Sequence, residues 1–182
     1  LLVLFLIVTL TAVAPLNAKA DAFISVTLGG DLNEQQKADM LKYFGVTKDQ
    51  VNLIEVNIDE EKKYLGSTAT SEQIGTKSIS CSYIEPTSSG GIDVTTNNIY
   101  WVTSDMIKNA LITAGINNAK VKVAAPFNVS GTAALTGILK GFENSKGGNK
   151  ISEASKQAAN QELVTTGDLG QKIGKDKAAG LM

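Results

Sequence analysis

The sequence predicts an α/β domain, a mixed sheet covered by helices, with α+β as the other way of assembling the same elements. Three observations point there. Short runs of strand formers alternate with segments of helical periodicity. Two strand–helix–strand units leave their helix through the same glycine-then-apolar step, and a helix-forming tail follows the last unit. At 182 residues, 43% of them hydrophobic, the chain is long enough for one sizeable core.

Residues 22–28 are rich in strand formers and stop at Gly29-Gly30. Asp31 opens a helix as the first member of an Asp-x-x-Glu capping box closed by Glu34. Leu32, Met40, Leu41 and Phe44 give that helix its apolar contacts, and Gly45 takes the left-handed position past its end. Thr47 and Gln50 repeat the capping pattern around a short turn. Residues 51–56 read as a strand, 59–65 as a short charged helix ended by Gly66, and 67–77 as a polar surface loop. Residues 78–85 alternate serines with Ile79, Cys81 and Tyr83, a half-buried strand.

A turn cluster at 86–91 leads into two strands, 92–96 and 99–102, joined at Asn97-Asn98. Thr103 caps a helix carrying Met106, Ile107, Ala110, Leu111 and Ala114, stopped by Gly115. Residues 119–125 return as a strand ended by Pro126. Ser130 caps the next helix, 132–142, with Ala134, Leu135, Ile138, Leu139 and Phe142 on its apolar side. Residues 144–150 read as a linker, 151–164 as a helix poor in large apolar residues, and 168–181 as a similar segment broken by Gly170 and Gly174. The shared exit is Gly45-Val46, four residues, Val51 in one unit and Gly115-Ile116, four residues, Val121 in the other. Two related lobes sharing a sheet, or a recurrent way of leaving a helix, both account for it.

Residues 1–16 are almost wholly apolar and Ala18-Lys19-Ala20 follows, the pattern of a secretory leader cleaved after Ala20. A retained anchor needs about 20 apolar residues, and this run is shorter and carries Pro15. The organisation expected is a signal peptide over 1–20, a secreted domain over 21–143, and a linker with a helical tail over 144–182. Without an initiator Met or a recognisable terminator, the chain reads as cut short at both ends. The expected location is secreted or extracytoplasmic, at the cell envelope, with membrane contact only through the leader.

Composition narrows the chemistry. All 17 basic residues are lysines, set against 18 acids, so there is no basic patch fit for a nucleic acid and no bidentate arginine clamp. Histidine is absent, which removes Ser-His-Asp and Cys-His catalysis and imidazole metal sites. Cys81 is the single cysteine and forms no internal disulfide; it reads as a small buried hydrophobe. No cofactor and no metal site is expected.

The candidate sites are few. Ser130, Gly131 and Thr132 form a strand-to-helix turn after Pro126 whose amides suit a small anion or a peptide carboxylate, and plain capping is the other reading. Gly29-Gly30-Asp31 is a similar turn already filled by an acid. Trp101 offers a face on which a sugar can stack, or a buried strand position beside Ile99 and Val102. Glu55, Glu72, Glu85, Asp93 and Asp105 are the acids from which a carboxylate pair for glycoside hydrolysis would be drawn. Ser104 with Lys108 and Ser152 with Lys156 stand four apart, not at the Ser-x-x-Lys spacing of penicillin-binding enzymes.

An ordered set of motifs resembles a known family. Residues 22–32, then Tyr64-Leu65-Gly66, Gln73-Ile74-Gly75-Thr76, Ser78-Ile79-Ser80 with Tyr83-Ile84, Val123-Ala124-Ala125-Pro126 and the run 131–137 are similar to the YpuA-like family. The resemblance covers about residues 21–143. It implies a secreted protein of Gram-positive bacteria and a domain of unknown function; family members look longer than this chain, and no catalytic residue or ligand carries over. The expected function is a non-catalytic binding or structural module, its partner a cell-envelope component or another protein. The alternatives are a carboxylate-dependent hydrolase of cell-wall sugars or peptides, and an export-linked regulatory protein. Oligomeric state and ligand are left open.

Overall fold

The computed structural model describes residues 23–181; the leader read over 1–20 lies outside the described residues. The elements run β1 (Ser25–Gly29), α1 (Glu34–Phe44), a 3-10 turn (Lys48–Gln50), β2 (Asn52–Val56), α2 (Ile58–Leu65), α3 (Ser71–Ile74), β3 (Cys81–Pro86), β4 (Ile92–Ile99), α4 (Ser104–Thr113), β5 (Ala119–Val129), α5 (Thr132–Asn144), α6 (Glu153–Ile173) and α7 (Lys175–Ala179). They build one five-stranded sheet in the order β2-β1-β3-β5-β4. β1 and β2 are parallel, as are β4 and β5, and the central β3 is antiparallel to both of its neighbours. This is the mixed α/β sheet that the alternating pattern predicts.

Period-two alternation sends the strands' side chains to two different layers. Val26, Leu28, Cys81 and Tyr83 face α1, meeting Met40, Leu41 and Phe44. Ile84, Val121 and Val123 face the other way, onto Met106, Ile107 and Leu111 of α4 and Leu135, Ile138 and Leu139 of α5. Helix α5 packs on the sheet through glycines that leave no room for a side chain. A Cβ at Gly137 would stand 2.5 Å from Thr27 Oγ1, and one at Gly141 2.6 Å from Ile84 Cδ1. Under Gly137 the strands present hydroxyls that satisfy one another, Thr27 Oγ1 and Ser82 Oγ being 3.0 Å apart.

Both strand–helix–strand units are present and both exits use the same device. Gly45 and Gly115 are left-handed (φ 76° and 86°), and the next amide reaches back into the last turn, Val46 N to Leu41 O at 3.1 Å and Ile116 N to Leu111 O at 2.9 Å. The units nonetheless differ in hand. Each steps in the same direction across the sheet between strands of the same sense, yet α1 covers one face and α4 the opposite one. Copies of one unit would share the hand of their connection, so the common exit is a local solution for leaving a helix.

The structure corrects several local readings. Asn33, not Asp31, caps α1, in a box with Gln36; Asp31 instead accepts from Ser78 N at 2.7 Å. Residues 67–77 hold α3, capped by a Thr70–Gln73 box. The two strands around Asn97-Asn98 are one, β4, kinked where Asn98 (φ 58°) creates a bulge. β5 runs through Pro126, because its pairing with β3 ends at Ala124 and the missing N–H falls beyond that ladder. Residues 99–102 are no separate strand: after Ile99 the chain bends through Tyr100-Trp101. Gly170 does not break the tail; α6 continues to Gly174 (φ 96°).

Packing joins the tail to the core. Ala159 and Leu163 belong to the α4–α5 cluster, and Val164 closes a smaller one with Leu65 and Ile74. Burying Leu163 alone is worth about 2 kcal/mol. Among the described residues no helix is long and apolar enough to cross a membrane.

Candidate functional site

Three helices of different origin meet on the side of α5 away from the sheet. Between α2, α5 and α6 lies a cleft of about 210 Å³ lined by Glu60, Lys63, Tyr64, Thr136, Leu139, Lys140, Glu143 and Lys156. Helix α2 enters it pre-organised: Asn57 and Glu60 form a reciprocal capping box (Glu60 N to Asn57 Oδ1, 2.9 Å; Asn57 N to Glu60 Oε2, 3.1 Å). That leaves Glu60 Oε1 to take Lys140 Nζ at 2.5 Å.

The remaining charges pair in the same way. Lys156 lies 2.8 Å from Glu143 and 3.0 Å from Glu153, while Lys63 is 3.1 Å from Glu153, which also accepts the Tyr64 hydroxyl at 3.1 Å. Lys156 and Glu143 are both largely buried, so this pair is little screened by water. Lys156, Lys63 and Tyr64 together hold Glu153 ionised, its pKa down at about 2. Burial works against the charge of Glu60, but Lys140 and the Asn57 amide outweigh it and its pKa is lowered. Every charged group lining the cleft is an ion already held by a partner, and neither Glu60 nor Glu153 is a proton donor at neutral pH.

Outside the cleft's lining the chemistry differs. Glu61, the next residue of α2, is fully buried (0% exposed) and neither carboxylate oxygen has a hydrogen-bond partner. Burial pushes its pKa up to about 7, against weaker opposing pulls from the Thr132 hydroxyl and the Lys62 charge. Thr132 spends its own proton on Gln73 O at 3.2 Å. Thr136 Oγ1, one turn along α5, and Asn160 Oδ1 on α6 are also buried without partners.

The residues singled out from the sequence lie elsewhere or play other parts. Gly131 (φ 92°), not Ser130, occupies the cap position of α5, with no side-chain cap bond; Ser130 Oγ and Thr132 Oγ1 are 3.2 Å apart. Thr132 is buried under α3 through Gln73, and a Cβ at Gly131 would strike Ile99 Cγ2 at 2.4 Å, so this turn is packed in. Trp101 is 7% exposed and lies against Gly167 of α6, while its neighbour Tyr100 is the exposed ring. The amides at Gly30, Asp31 and Leu32 are all taken by backbone carbonyls.

None of Glu55, Glu72, Glu85, Asp93 or Asp105 lines the cleft; Glu55 pairs with Lys37 and Glu85 accepts from Tyr83. Ser152 caps α6, and Lys156 serves Glu143 and Glu153. Burial raises the Cys81 thiol to about 11, which makes it inert. One signal for the cleft was available in the sequence: Ile58, Glu61 and Leu65 stand at helical spacing on the apolar side of α2, which puts a carboxylate where a hydrophobe belongs.

Comparison with known proteins places the chain among relatives. A family described as "Protein of unknown function (DUF1002)" matches residues 28–182. The chain is 47% identical over 177 residues to the "Uncharacterized protein YpuA" of Bacillus subtilis (strain 168), an alignment covering 95% of this chain and 60% of the relative. The chain therefore spans about three fifths of that relative's length. No solved structure matches.

Proposed function

The chain belongs to the DUF1002 family, and for it we propose an exported, non-catalytic binding module of the cell envelope that takes its ligand at the α2–α5–α6 cleft. Export rests on the apolar run 1–16 followed by Ala18-Lys19-Ala20. Binding without catalysis rests on one observation: the charges lining the cleft are ion-paired, and both Glu60 and Glu153 are held as carboxylates. A rim of matched lysines and glutamates around Tyr64 and Leu139 recognises polar, zwitterionic matter by exchanging ion pairs. It supplies no general acid.

The hydrolase reading has one observation in its favour. Glu61, with its raised pKa, is the chain neighbour of Glu60, whose pKa is lowered, the asymmetry that acid–base pairs use. Its burial argues the other way, since a general acid has to reach the leaving group. Cell fractionation with N-terminal sequencing tests export: the expected product lies outside the cytosol and starts at Asp21, and an untrimmed cytosolic product contradicts it. Incubation of that product with isolated envelopes separates the two activities. Co-sedimentation without release of reducing ends or free amines supports binding, and steady release that Glu61→Gln abolishes supports hydrolysis.

A further inference from the structure

The two edges of the sheet are finished differently. Strand β2 closes one of them with five residues. Its Asn52 N and Val56 O turn inward, to Ile24 O and Gly30 N, so alternation leaves Leu53 and Glu55 with outward backbone groups. Lys140 Nζ, 3.0 Å away, covers the Glu55 carbonyl. A short strand with a lysine over its free carbonyl is a common way to keep an edge from pairing.

Strand β4, at the other edge, has eight residues and neither lysine nor proline. Gly91 O accepts from Ala119 N at 3.1 Å. That turns the backbone groups of Asp93, Thr95 and Asn97 toward β5 and those of Ile92, Val94 and Thr96 outward. Among the described residues no hydrogen bond is made to these outward N–H and C=O groups. The ladder stays regular from Ile92 to Asn97, ahead of the bulge at Asn98. Asp93 is the one charge on the strand, and it stands opposite Lys120 of β5.

This edge is its own complement. Laid antiparallel against a second copy with the two-fold axis at Val94, Ile92 meets Thr96, Val94 meets Val94, and each pair exchanges two backbone hydrogen bonds. On the exposed face, Asp93 of each copy meets Thr95 of the other, a carboxylate opposite a hydroxyl. On the other face, Ile92 and Val94 extend the apolar layer that packs with α4. Neighbouring registers fit less well. An axis at Asp93 sets the two carboxylates opposite each other, which is unfavourable, and an axis at Thr95 draws the Asn98 bulge into the ladder.

We propose that β4 is the contact through which two copies of this chain pair, antiparallel about an axis at Val94, into one continuous sheet. A strip this narrow buries less than the about 1,600 Å² of a standard interface, so the pairing is reversible. It depends neither on export nor on the cleft.

The test is sedimentation equilibrium of the purified protein from about 1 µM to about 1 mM, the range of reversible association, with amide hydrogen exchange at both ends of it. The average mass should rise from monomer toward dimer. The amides of Ile92, Val94 and Thr96 should exchange fast in dilute solution and slowly in concentrated solution. Thr96→Pro should keep the protein monomeric, since the N–H it removes lies outside the monomer's own ladder. Two changes at exposed Thr95 decide the matter even if the proline variant misfolds. Thr95→Glu, facing Asp93 of the other copy, should raise the dissociation constant several-fold, and Thr95→Lys should lower it. A monomer throughout the range, a dimer whose strength does not follow that charge order, or protection of the three amides already in dilute monomer overturns the proposal.

Discussion

Gly167 of α6 faces the Trp101 indole so closely that a Cβ there would lie 2.3 Å from Cζ2 and 2.6 Å from Cη2. The ring sits in the turn between β4 and α4, and the missing side chain lets α6 pass over it. This contact fastens the tail helix to the domain, and with it the third wall of the cleft. Gly167→Ala should therefore destabilise the protein by about 1–3 kcal/mol through overpacking, read as a lower urea midpoint. Unchanged stability would mean that the tail docks without this contact.

Under α5 the same logic applies with a built-in compensation. Gly137→Ala should cost about 1–3 kcal/mol, since its Cβ would meet Thr27 Oγ1 at 2.5 Å. Thr27→Ala removes that oxygen, so the double variant should be more stable than the sum of the single losses predicts. A double-mutant cycle in urea measures this coupling.

The helix caps sort by role. Asn33→Ala should lose about 1 kcal/mol, because Asn33 holds the Gln36 amide at 2.9 Å in a complete box. Ser130→Ala should lose clearly less, since Gly131 holds the cap position of α5 and no side-chain cap bond exists there. Denaturation midpoints of the two variants, measured side by side, check the order.

Stability should depend on pH through Glu61. Below about pH 4.5, its ordinary value, the folded and unfolded chains both keep the proton; between there and about 7 the folded chain alone keeps it. The folded state therefore loses stability as pH rises across that window, by about 3 kcal/mol in total. Glu153, held ionised by its lysines, loses stabilisation only at more acid pH. The difference in unfolding free energy between wild type and Glu61→Gln isolates the effect: it should fall between pH 4.5 and 7 and be level above.

Much of the architecture was legible because it rests on local chemistry. The strand formers at 22–28, the alternation at 78–85, and the glycine exits at 45 and 115, each decide their own geometry. The failures arise where tertiary contacts overrule local signals. Asp31 has the residue type of a cap but is claimed by Ser78 N. Pro126 has the form of a strand end but falls past the β3 ladder. Gly170 has the form of a helix break but is held in register by the packing of α6.

The cleft was hidden for a similar reason. Its walls are a charged helix at 58–65, an apolar one at 132–144 and a tail that reads as weakly amphipathic, and only the fold makes them neighbours. Ser130, Gly131, Thr132 and Trp101 were legible as unusual residues. Their oddity turns out to mark tight packing: a glycine beside Ile99, and an indole beneath a glycine.

Co-sedimentation of the purified protein with isolated envelopes, compared with Tyr64→Ala and Lys63→Ala in the cleft rim, tests the central claim most directly. Both rim residues are solvent-accessible, and their contacts to Glu153 are surface contacts on which the core does not depend, so the variants should fold. The account predicts that wild type sediments with the envelopes and that both variants stay in the supernatant while melting as folded proteins. Equal sedimentation of wild type and variants, or none by wild type, would contradict it.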